Sequence, residues 1–305
     1  MTVPSVNHAL HRASDWPEPR AVLELLKPVT WFPPMWAFAC GAVSSGVAFQ
    51  GRVDELAIGL AITGPLVCAT SQAANDWYDR HVDAINEPGR PIPSGRIPGT
   101  WGFKIALAWT ALSMAASLAL GVRGMVVVAI ALAFAWGYSA PPLRFKQNGW
   151  VGNLSVGLTY EGLAWVTGAL VMLGGDLPSA PVMIVALLYS LGAHGIMTLN
   201  DFKAIEGDRA MGIRSLPASL GVERAAQVLC AMMVIPQLIV IGLLLSWGAS
   251  LSALAIAALV VVQCGLMWRF LAAPRERALF LSAIGVPFYV SGMMVSAFAL
   301  RSILT

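Results

Sequence analysis

Charged residues are scarce in this chain of 305 residues, because Asp, Glu, Lys and Arg together make up only 11% of it. A typical soluble domain has about 25%. Hydrophobic residues make up 57%, and the formal net charge is only +3. So few charges do not suit the surface of a soluble domain, and so small a net charge gives no reason to expect nucleic acid as a partner. The composition instead indicates the lipid bilayer as the solvent.

The four cysteines and four histidines form no metal or redox motif. The sequence has no CxxC pair, no HExxH zinc motif and no glycine-rich phosphate loop. These absences argue against a zinc site, a functional thiol pair and common nucleotide handling. The first 25 residues carry charges and prolines without an apolar core, so we expect no cleavable signal peptide. Residues 1–25 are predicted to form a cytoplasmic tail.

Apolar runs of about 20 residues recur along the chain, and each is long enough to cross a ~30 Å hydrocarbon core as a helix. Continuous runs differ from the alternating pattern of a barrel strand. We therefore expect an all-α membrane protein in one domain, residues 1–305, with about nine transmembrane helices around a central cavity. The runs lie near 30–49, 55–74, 101–120, 124–140, 151–173, 181–199, 225–246, 250–268 and 279–299.

The basic residues predict the orientation in the membrane. With nine spans, all but three of the 19 lysines and arginines fall on one side, the exceptions being Arg52, Arg123 and Arg301. Lysine and arginine collect in cytoplasmic loops. The pattern therefore predicts a multi-pass protein with a cytoplasmic N-terminus and a cavity that opens to the cytoplasmic side.

Acidic residues cluster directly after the second apolar run, in NDWYDRHVDAINEPGRPIPSG at 75–95. On a helix, Asp76, Asp79 and Asp83 fall within about 60° of one another, where like charges repel. A hard cation such as Mg²⁺ reverses that repulsion because it binds carboxylate and carbonyl oxygens. We therefore assign Asn75 and these three aspartates as candidate metal ligands. A solvated helix end, capped by nearby arginines, is the alternative.

A second acidic segment, NDFKAIEGDRAMGIRSLP at 200–217, follows the sixth run and repeats features of the first. The repetition predicts two related units, about 26–150 and 151–275, followed by a final helix. Repeats of this kind often meet at a substrate site. Both segments would face the cytoplasm, because four spans separate them.

Asn200, Asp201 and Asp208 are the candidate metal ligands of the second segment. Asp201 and Asp208 would be about 10.5 Å apart along a continuous helix, too far to hold one metal together. Either Gly207 breaks the helix and brings Asp208 back, or the two carboxylates bind different atoms. We rank Asp201 above Asp208.

Basic side chains accompany both acidic segments. Carboxylates alone would repel a diphosphate, and arginines alone would not need so many aspartates. The combination suits a diphosphate bridged by Mg²⁺, with arginines donating to the remaining oxygens. The catalytic candidates are Asp79, Asp201 and Arg90. The candidate diphosphate-binding residues are Arg90, Arg144, Lys146, Arg209 and Arg214.

The two acidic segments resemble those of a known family. NDxxDxxxD at 75–83, followed by NEPGRPIPSG at 86–95, is similar to the signature of the UbiA superfamily of intramembrane prenyltransferases. Together with the segment at 200–217, it resembles the chlorophyll and bacteriochlorophyll synthase branch. YSAPPLRFK at 138–146 resembles a third signature of the family. The similarity runs from about Leu25 to the last apolar run.

The resemblance implies an enzyme of (bacterio)chlorophyll biosynthesis in the inner or intracytoplasmic membrane. Its substrates would be geranylgeranyl or phytyl diphosphate and (bacterio)chlorophyllide a, whose propionate is esterified with release of diphosphate. The implied cofactor is Mg²⁺, with Mn²⁺ as the alternative metal. Pigment-protein assembly factors are conceivable partners. The alternatives are a UbiA-type enzyme with a quinone or haem precursor as acceptor, a secondary transporter, or a pigment-binding protein without turnover.

Four further residues are candidates for the substrate pocket. Tyr138 and Tyr160 are aromatic faces that could stabilise an allylic cation. Glu161 is the one acid inside an apolar run, where a carboxyl group is costly and commonly functional. Glu161 has two alternative roles, a contact with the substrate or a hydrogen bond to a neighbouring helix. His194 is a conceivable ligand for the central magnesium of the macrocycle, with a role in helix packing as the alternative.

Overall fold

The computed structural model describes residues 15–305, and this part of the chain is largely helical. No β-strand occurs in it; one isolated backbone bridge joins Asn148 and Arg214. The all-α fold expected from the apolar runs is therefore confirmed for these residues. Residues 1–14 of the expected tail lie outside the described part.

The helices follow one another with short connections. They are α1 (Pro19–Leu26), α2 (Phe32–Ser44), α3 (Val53–Ala61), α4 (Ala69–Asn86), α5 (Trp101–Ser117), α6 (Gly121–Ser139), α7 (Gly149–Gly157), α8 (Ala164–Met172), α9 (Ala180–Asp201), α10 (Ile205–Ala210), α11 (Leu216–Leu220), α12 (Val222–Ser246), α13 (Ser250–Leu271), α14 (Pro274–Phe280) and α15 (Val286–Leu304).

Three pairs of helices are continuous through wider π-helical turns. Ile62–Cys68 joins α3 to α4, Leu158–Leu163 joins α7 to α8, and Leu281–Gly285 joins α14 to α15. Pro65 lies inside the first of these turns and has no backbone N–H to donate, which favours a local departure from α-helix. π-Helical turns occur frequently at functional sites.

Seven helical stretches within residues 15–305 are long and apolar enough to cross a membrane, which makes the chain a multi-pass membrane protein. This is fewer than the nine expected. Trp101–Ser139 counts as one stretch, although α5 and α6 contact each other across a break at Gly121, whose φ is 70°. The 13 residues of α2 are too few to be counted. The number nine stays a prediction.

Long-range contacts identify the two ends of the bundle. At one end, Arg301 Nη1 donates to the Val47 carbonyl at 3.0 Å, and Arg123 Nη1 donates to the Gly175 carbonyl at 3.2 Å. At the other end, Arg275 forms an ion pair with Glu206. Arg52 and Arg123 line one surface pocket at the first of these ends. The three basic residues expected on the far side of the membrane thus lie away from the acidic segments.

Glycines allow α2 and α8 to pack with their backbones in close contact. A Cβ atom at Gly41 would lie 1.9 Å from the Trp165 carbonyl oxygen, and one at Gly168 would lie 2.0 Å from that of Phe38. Small residues permit this approach in membrane helices, where van der Waals packing drives association. The pairing fixes α8, and the π-helical turn before it, against the N-terminal part of the bundle.

Helix α1 occupies part of the segment that was expected to be a tail. Its buried residues, Ala21, Leu25 and Leu26, pack on α4. Glu24 also forms a double ion pair with Arg96, at 2.6 and 3.0 Å, and this interaction lowers the pKa of Glu24. The segment is therefore docked on the bundle beside the first acidic motif.

Candidate active site

A cavity of about 710 Å³ lies between α4, α7, α9 and the loops that follow them. One part of its wall is polar and is formed by the two acidic segments. Another part is formed by the π-helical turn Leu158–Leu163. The candidate metal ligands that line the cavity are Asn75, Asp79, Asp83, Asn200, Asp201 and Asp208. Two helix ends that are far apart in sequence thus share one cavity.

The first acidic segment presents a polar stripe on α4. Gln72, Asn75, Asp79 and Asp83 all line the cavity, because steps of three or four residues return to the same helix face. Asn75 Nδ2 donates to Asp79 Oδ2 at 3.0 Å and to Ser139 Oγ at 3.0 Å. The hydrogen bonds orient the amide and hold the Asp79 carboxylate beside it.

Asp76 does not belong to this stripe. It is 2% exposed, and its Oδ1 lies 2.6 Å from Lys27 Nζ and 3.4 Å from Arg90 Nη1. Its other oxygen, Oδ2, is buried and has no hydrogen-bond partner among the described residues. This position differs from the one expected for a metal ligand, because Lys27 at the end of α1 and Arg90 cover the Asp76 carboxylate.

Two cations contact the carboxylates of the stripe. Lys146 Nζ forms an ion pair with Asp79 Oδ1, and Arg90 Nη1 lies 2.9 Å from Asp83 Oδ2. Burial lowers the pKa of Lys146 from its usual value, while the charge of Asp79 acts in the opposite direction. Both cations line the cavity and are therefore placed to meet an anionic ligand.

The remaining predicted anion-binding residues fall into two groups. Arg144 lines the cavity, and its buried Nε has no hydrogen-bond partner within residues 15–305. Arg209 and Arg214 are exposed and do not line it. Arg209 Nε instead faces the Ala218 carbonyl oxygen at 3.5 Å. The geometry supports Arg144, but not these two, as a contact for a ligand in the cavity.

The main chain of Arg214 joins the loop after α6 to the loop after α10. Its N–H donates to the Gln147 carbonyl at 3.0 Å, and its carbonyl accepts from the Gly149 N–H at 2.8 Å. This pair of hydrogen bonds brings the loop that carries Lys146 alongside the loop that follows Asp208. The two walls of the cavity mouth are thereby linked.

The second acidic segment contains a helix break. Helix α9 ends at Asp201, and the short α10 begins at Ile205, so the break precedes Asp208. Gly207 lies inside α10 and is not the site of the break expected there. Asp208 is nevertheless brought back to the cavity, where burial raises its pKa. Asn153 Nδ2 donates to Asp201 Oδ2 at 3.2 Å and orients that carboxylate.

Tyr138, Tyr160 and Glu161 line the same cavity. The Tyr160 hydroxyl accepts from Gln72 Nε2 at 3.2 Å and contacts Cys68 Sγ at 3.3 Å. These contacts join the π-helical turn Leu158–Leu163 to the start of α4. Tyr160 and its neighbour Glu161 are consequently placed at the level of Gln72, further into the bundle than Asp79.

His194 does not line the cavity. It is 2% exposed, and its ring lies 5.3 Å from that of Trp150. A helix-packing role suits this position better than contact with a ligand in the cavity.

The cavity contains oxygen donors of the kind that bind magnesium, but they are not close enough together to form a metal site. Within residues 15–305, no three Asp, Glu, His or Cys side chains are close enough together to hold a metal ion. The donors that line the cavity are carboxylate and amide oxygens, which Mg²⁺ prefers. Asp79 and Asp83 currently contact Lys146 and Arg90. Metal binding at these carboxylates would therefore require them to exchange a cationic partner for the ion.

Three contributors to the site were not anticipated from the sequence. Lys27 was counted only as a cytoplasmic charge, and no local pattern pairs it with Asp76, which is 49 residues away. Asn153 lies in the glycine-rich stretch GWVGNLSVG at 149–157, which contains no acidic or basic residue. The signal available in the sequence was that Asn153 lies on the same apolar run as the candidate pocket residues Tyr160 and Glu161. Ser139 adjoins the predicted Tyr138 and contacts Asn75.

Comparison with known proteins gives a consistent result along nearly the whole chain. Residues 27–291 match the UbiA prenyltransferase family. The chain is 52% identical over 290 residues to the bacteriochlorophyll synthase 33 kDa chain of Rhodobacter capsulatus, covering 93% of this chain and 94% of that protein. It is also 52% identical over 299 residues to the protein of the same name from Cereibacter sphaeroides, with 98% of both chains covered.

Solved structures show the same fold. A UbiA homologue from Archaeoglobus fulgidus, bound to GPP and Mg²⁺, superposes with a TM-score of 0.63 at 21% identity. The match covers 92% of this chain and 99% of that one. A structure described in connection with digeranylgeranylglyceryl phosphate synthase superposes with a TM-score of 0.68 at 23% identity. This match covers 94% of this chain and 99% of that one.

Proposed function

Because the chain belongs to the UbiA prenyltransferase family, we propose that it esterifies the propionate of (bacterio)chlorophyllide a with geranylgeranyl or phytyl diphosphate. The observation that carries the proposal is the shared cavity, which Asp79 and Asp201 line together with Arg90 and Lys146. Acidic and basic side chains around one chamber suit a diphosphate bridged by divalent metal. The 52% identity to two bacteriochlorophyll synthases supports the choice of acceptor.

The acidic segments form the donor end of the cavity. Mg²⁺, or Mn²⁺ in its place, would be held by residues of the two facing sets. When bound, the metal supplies positive charge to the oxygens of the leaving diphosphate. The ligands we propose are Asn75, Asp79 and Asp83 on α4, and Asn200, Asp201 and Asp208 on the second segment. Asp76 is not among them, because it is buried against Lys27 and Arg90.

Lys146 and Arg90 serve the donor end by changing partners. Each contacts a carboxylate that is also a candidate metal ligand. Lys146 and Arg90 would donate to the diphosphate oxygens once their carboxylate partners serve as metal ligands. Arg144 adds an Nε that has no partner among the described residues. Positive charge thus faces the bond that breaks, which lowers the energy of the transition state.

The acceptor needs little chemical activation. A propionate resembles a glutamate side chain, with a pKa of about 4.3, so it is already ionised at neutral pH. No general base is required, and the residues act by orienting the two substrates and excluding water from the developing allylic cation. The faces of Tyr138 and Tyr160 lie in the cavity wall, where each could contribute about 0.5–2 kcal/mol of cation–π attraction.

The cavity mouth is proposed to face the cytoplasm, with the N-terminus on the same side. The bundle end that carries the acidic segments also carries most of the basic residues, whereas Arg52, Arg123 and Arg301 lie toward the other end. The positive-inside rule then gives the orientation. The inner or intracytoplasmic membrane of a photosynthetic cell is the proposed location.

A direct assay tests the proposal. Membranes containing the protein are incubated with Mg²⁺, geranylgeranyl diphosphate and chlorophyllide a or bacteriochlorophyllide a, and the pigments are separated by chromatography. We expect an esterified pigment. Failure with both macrocycles, together with turnover of a quinone or haem precursor, would reassign the acceptor. Diphosphate uptake into vesicles without ester formation would favour a transporter.

Asp79→Asn is the informative variant. It keeps the shape of the side chain and removes the charge that metal binding needs, so we expect ester formation to fall by at least about 100-fold, or ~2.7 kcal/mol. Asp54→Asn is the matched control, because Asp54 is exposed at the start of α3, away from the cavity. Equal activity of the two variants would contradict the proposed role of the acidic segments.

A further inference from the structure

Glu161 is a buried acid that has no hydrogen-bonding or ionic partner within residues 15–305. The residue is 7% exposed, yet it lines the cavity from the π-helical turn Leu158–Leu163. No side chain in residues 15–305 donates a hydrogen bond to its carboxyl group. By contrast, the buried Asp76 is paired with two cations. A carboxyl group inside a membrane protein is costly unless something in its surroundings binds it.

The position of Glu161 separates it from the donor end. Its neighbour Tyr160 is hydrogen-bonded to Gln72, which precedes Asp79 by seven residues on α4. At 1.5 Å per residue, the Gln72 level lies about 10 Å further along the helix than Asp79. A carboxylate at that depth is poorly placed to assist a diphosphate, whose charge it would repel. Glu161 therefore faces a different part of the substrates.

Glu161 lines the same cavity of about 710 Å³ as the two acidic segments, so a ligand that fills this cavity can reach its carboxyl group. A carboxylate oxygen is a ligand that Mg²⁺ prefers. A free ion would need several more donors here, whereas a tetrapyrrole brings a magnesium whose equatorial positions are already filled. In such a ring the magnesium and the propionate are several ångströms apart, and Glu161 and Asp79 line the same cavity at different depths.

We propose that Glu161 supplies the axial oxygen ligand to the central magnesium of the acceptor. This assignment rests on the proposed function and adds the means by which the acceptor is recognised and oriented. Ligation at the deep end directs the propionate toward the donor end. His194 cannot take this role in the same geometry, because it is buried outside the cavity lining. The protein would thus select a macrocycle that carries its metal.

The test measures binding without turnover. Purified protein in lipid nanodiscs, with no prenyl diphosphate present, is titrated with chlorophyllide a and with the same macrocycle after acid removal of its magnesium. We expect the wild type to bind the magnesium form at least about tenfold more tightly, a difference of ~1.4 kcal/mol. A change in axial ligation should also shift the visible absorption bands of the bound pigment.

Glu161→Leu removes the oxygen ligand, and Glu161→Gln keeps a weaker one. We expect the first to lose the preference for the magnesium form, the second to retain part of it, and both to bind the metal-free ring as the wild type does. Glu223→Gln, an exposed acid in the first turn of α12, is the matched control. If both macrocycles weaken equally in Glu161→Leu, the residue acts through packing and the proposal is wrong.

The wild type alone provides a second test that does not depend on the variants' folding. Equal affinity for the two macrocycles, alongside normal esterification, would overturn the role of Glu161 and leave the proposed function intact. Tight magnesium-dependent binding without any ester formation would support the ligand site and refute the transfer reaction. The two proposals therefore fail in different ways.

Discussion

Replacing Lys27 with methionine should destabilise the protein, although Lys27 is not part of the cavity wall. Its ammonium group lies 2.6 Å from Asp76 Oδ1, and the Asp76 side chain is 3% exposed. The substitution preserves most of the apolar stem and leaves the buried carboxylate with Arg90 alone, at 3.4 Å. Arg90 is already shared with Asp83 and Glu87, so it can compensate only in part.

Removing one partner of a buried ion pair typically costs about 3–5 kcal/mol. The Lys27 side chain is 26% exposed, and a second cation remains, so both facts reduce the expected cost. We expect about 2 kcal/mol for Lys27→Met. At about 2–4 °C per kcal/mol for a large domain, Tm should fall by about 4–8 °C.

The measurement is thermal unfolding of the detergent-solubilised protein, with Lys104→Met as control because Lys104 is exposed. The control should change stability by less than about 0.5 kcal/mol. The double variant Lys27→Met/Asp76→Asn should be more stable than Lys27→Met, since it no longer buries an underpaired charge. A Tm for Lys27→Met equal to that of the control, or strictly additive effects in the double variant, would refute the reasoning.

Three other outcomes follow from the site and the packing. Chelation of divalent metal with EDTA should abolish ester formation, and added Mg²⁺ should restore it; activity that survives chelation would refute the metal assignment. Lys146→Met should raise KM for the prenyl diphosphate by about tenfold, or ~1.4 kcal/mol, with the acceptor KM unchanged, whereas equal rises in both would indicate a structural defect. Gly168→Leu should greatly reduce the yield of folded protein, because a Cβ there would lie 2.0 Å from the Phe38 carbonyl oxygen. Gly242→Leu should be tolerated, since nothing lies within 4 Å of its Cβ position, and similar yields from the two would contradict the packing argument.

The long-range arrangement of the helices follows largely from patterns that can be read in the sequence. Apolar runs give the helices directly, because lipid leaves an isolated segment no other way to satisfy its backbone. The two acidic segments each end such a run, so their approach at one cavity was foreseeable from the even number of spans between them. Asp79 and Asp201 both line it.

What could not be foreseen depends on single contacts between distant residues. Asp76 and Asp79 belong to the same motif, yet one is buried against Lys27 and the other faces the cavity. The two side chains are only about 60° apart around the helix, and the packing of α1, which brings Lys27 to Asp76, decides which of them is covered. The helix break in the second acidic segment is a similar case. Gly207 was the position at which the sequence suggested a break, but the break lies between Asp201 and Ile205.

The two main-chain hydrogen bonds that join Gln147 and Gly149 to Arg214 have a consequence for sequence variation. Both of its hydrogen bonds use main-chain atoms of Arg214, and the side chain is exposed. Any amino acid with a free N–H can therefore maintain the link, whereas proline would remove the donor. The loops after α6 and α10, which are far apart in sequence, are therefore joined by main-chain hydrogen bonds that do not depend on the side chain at position 214. We expect that Arg214 can be replaced by another residue other than proline without separating the two loops at the cavity mouth.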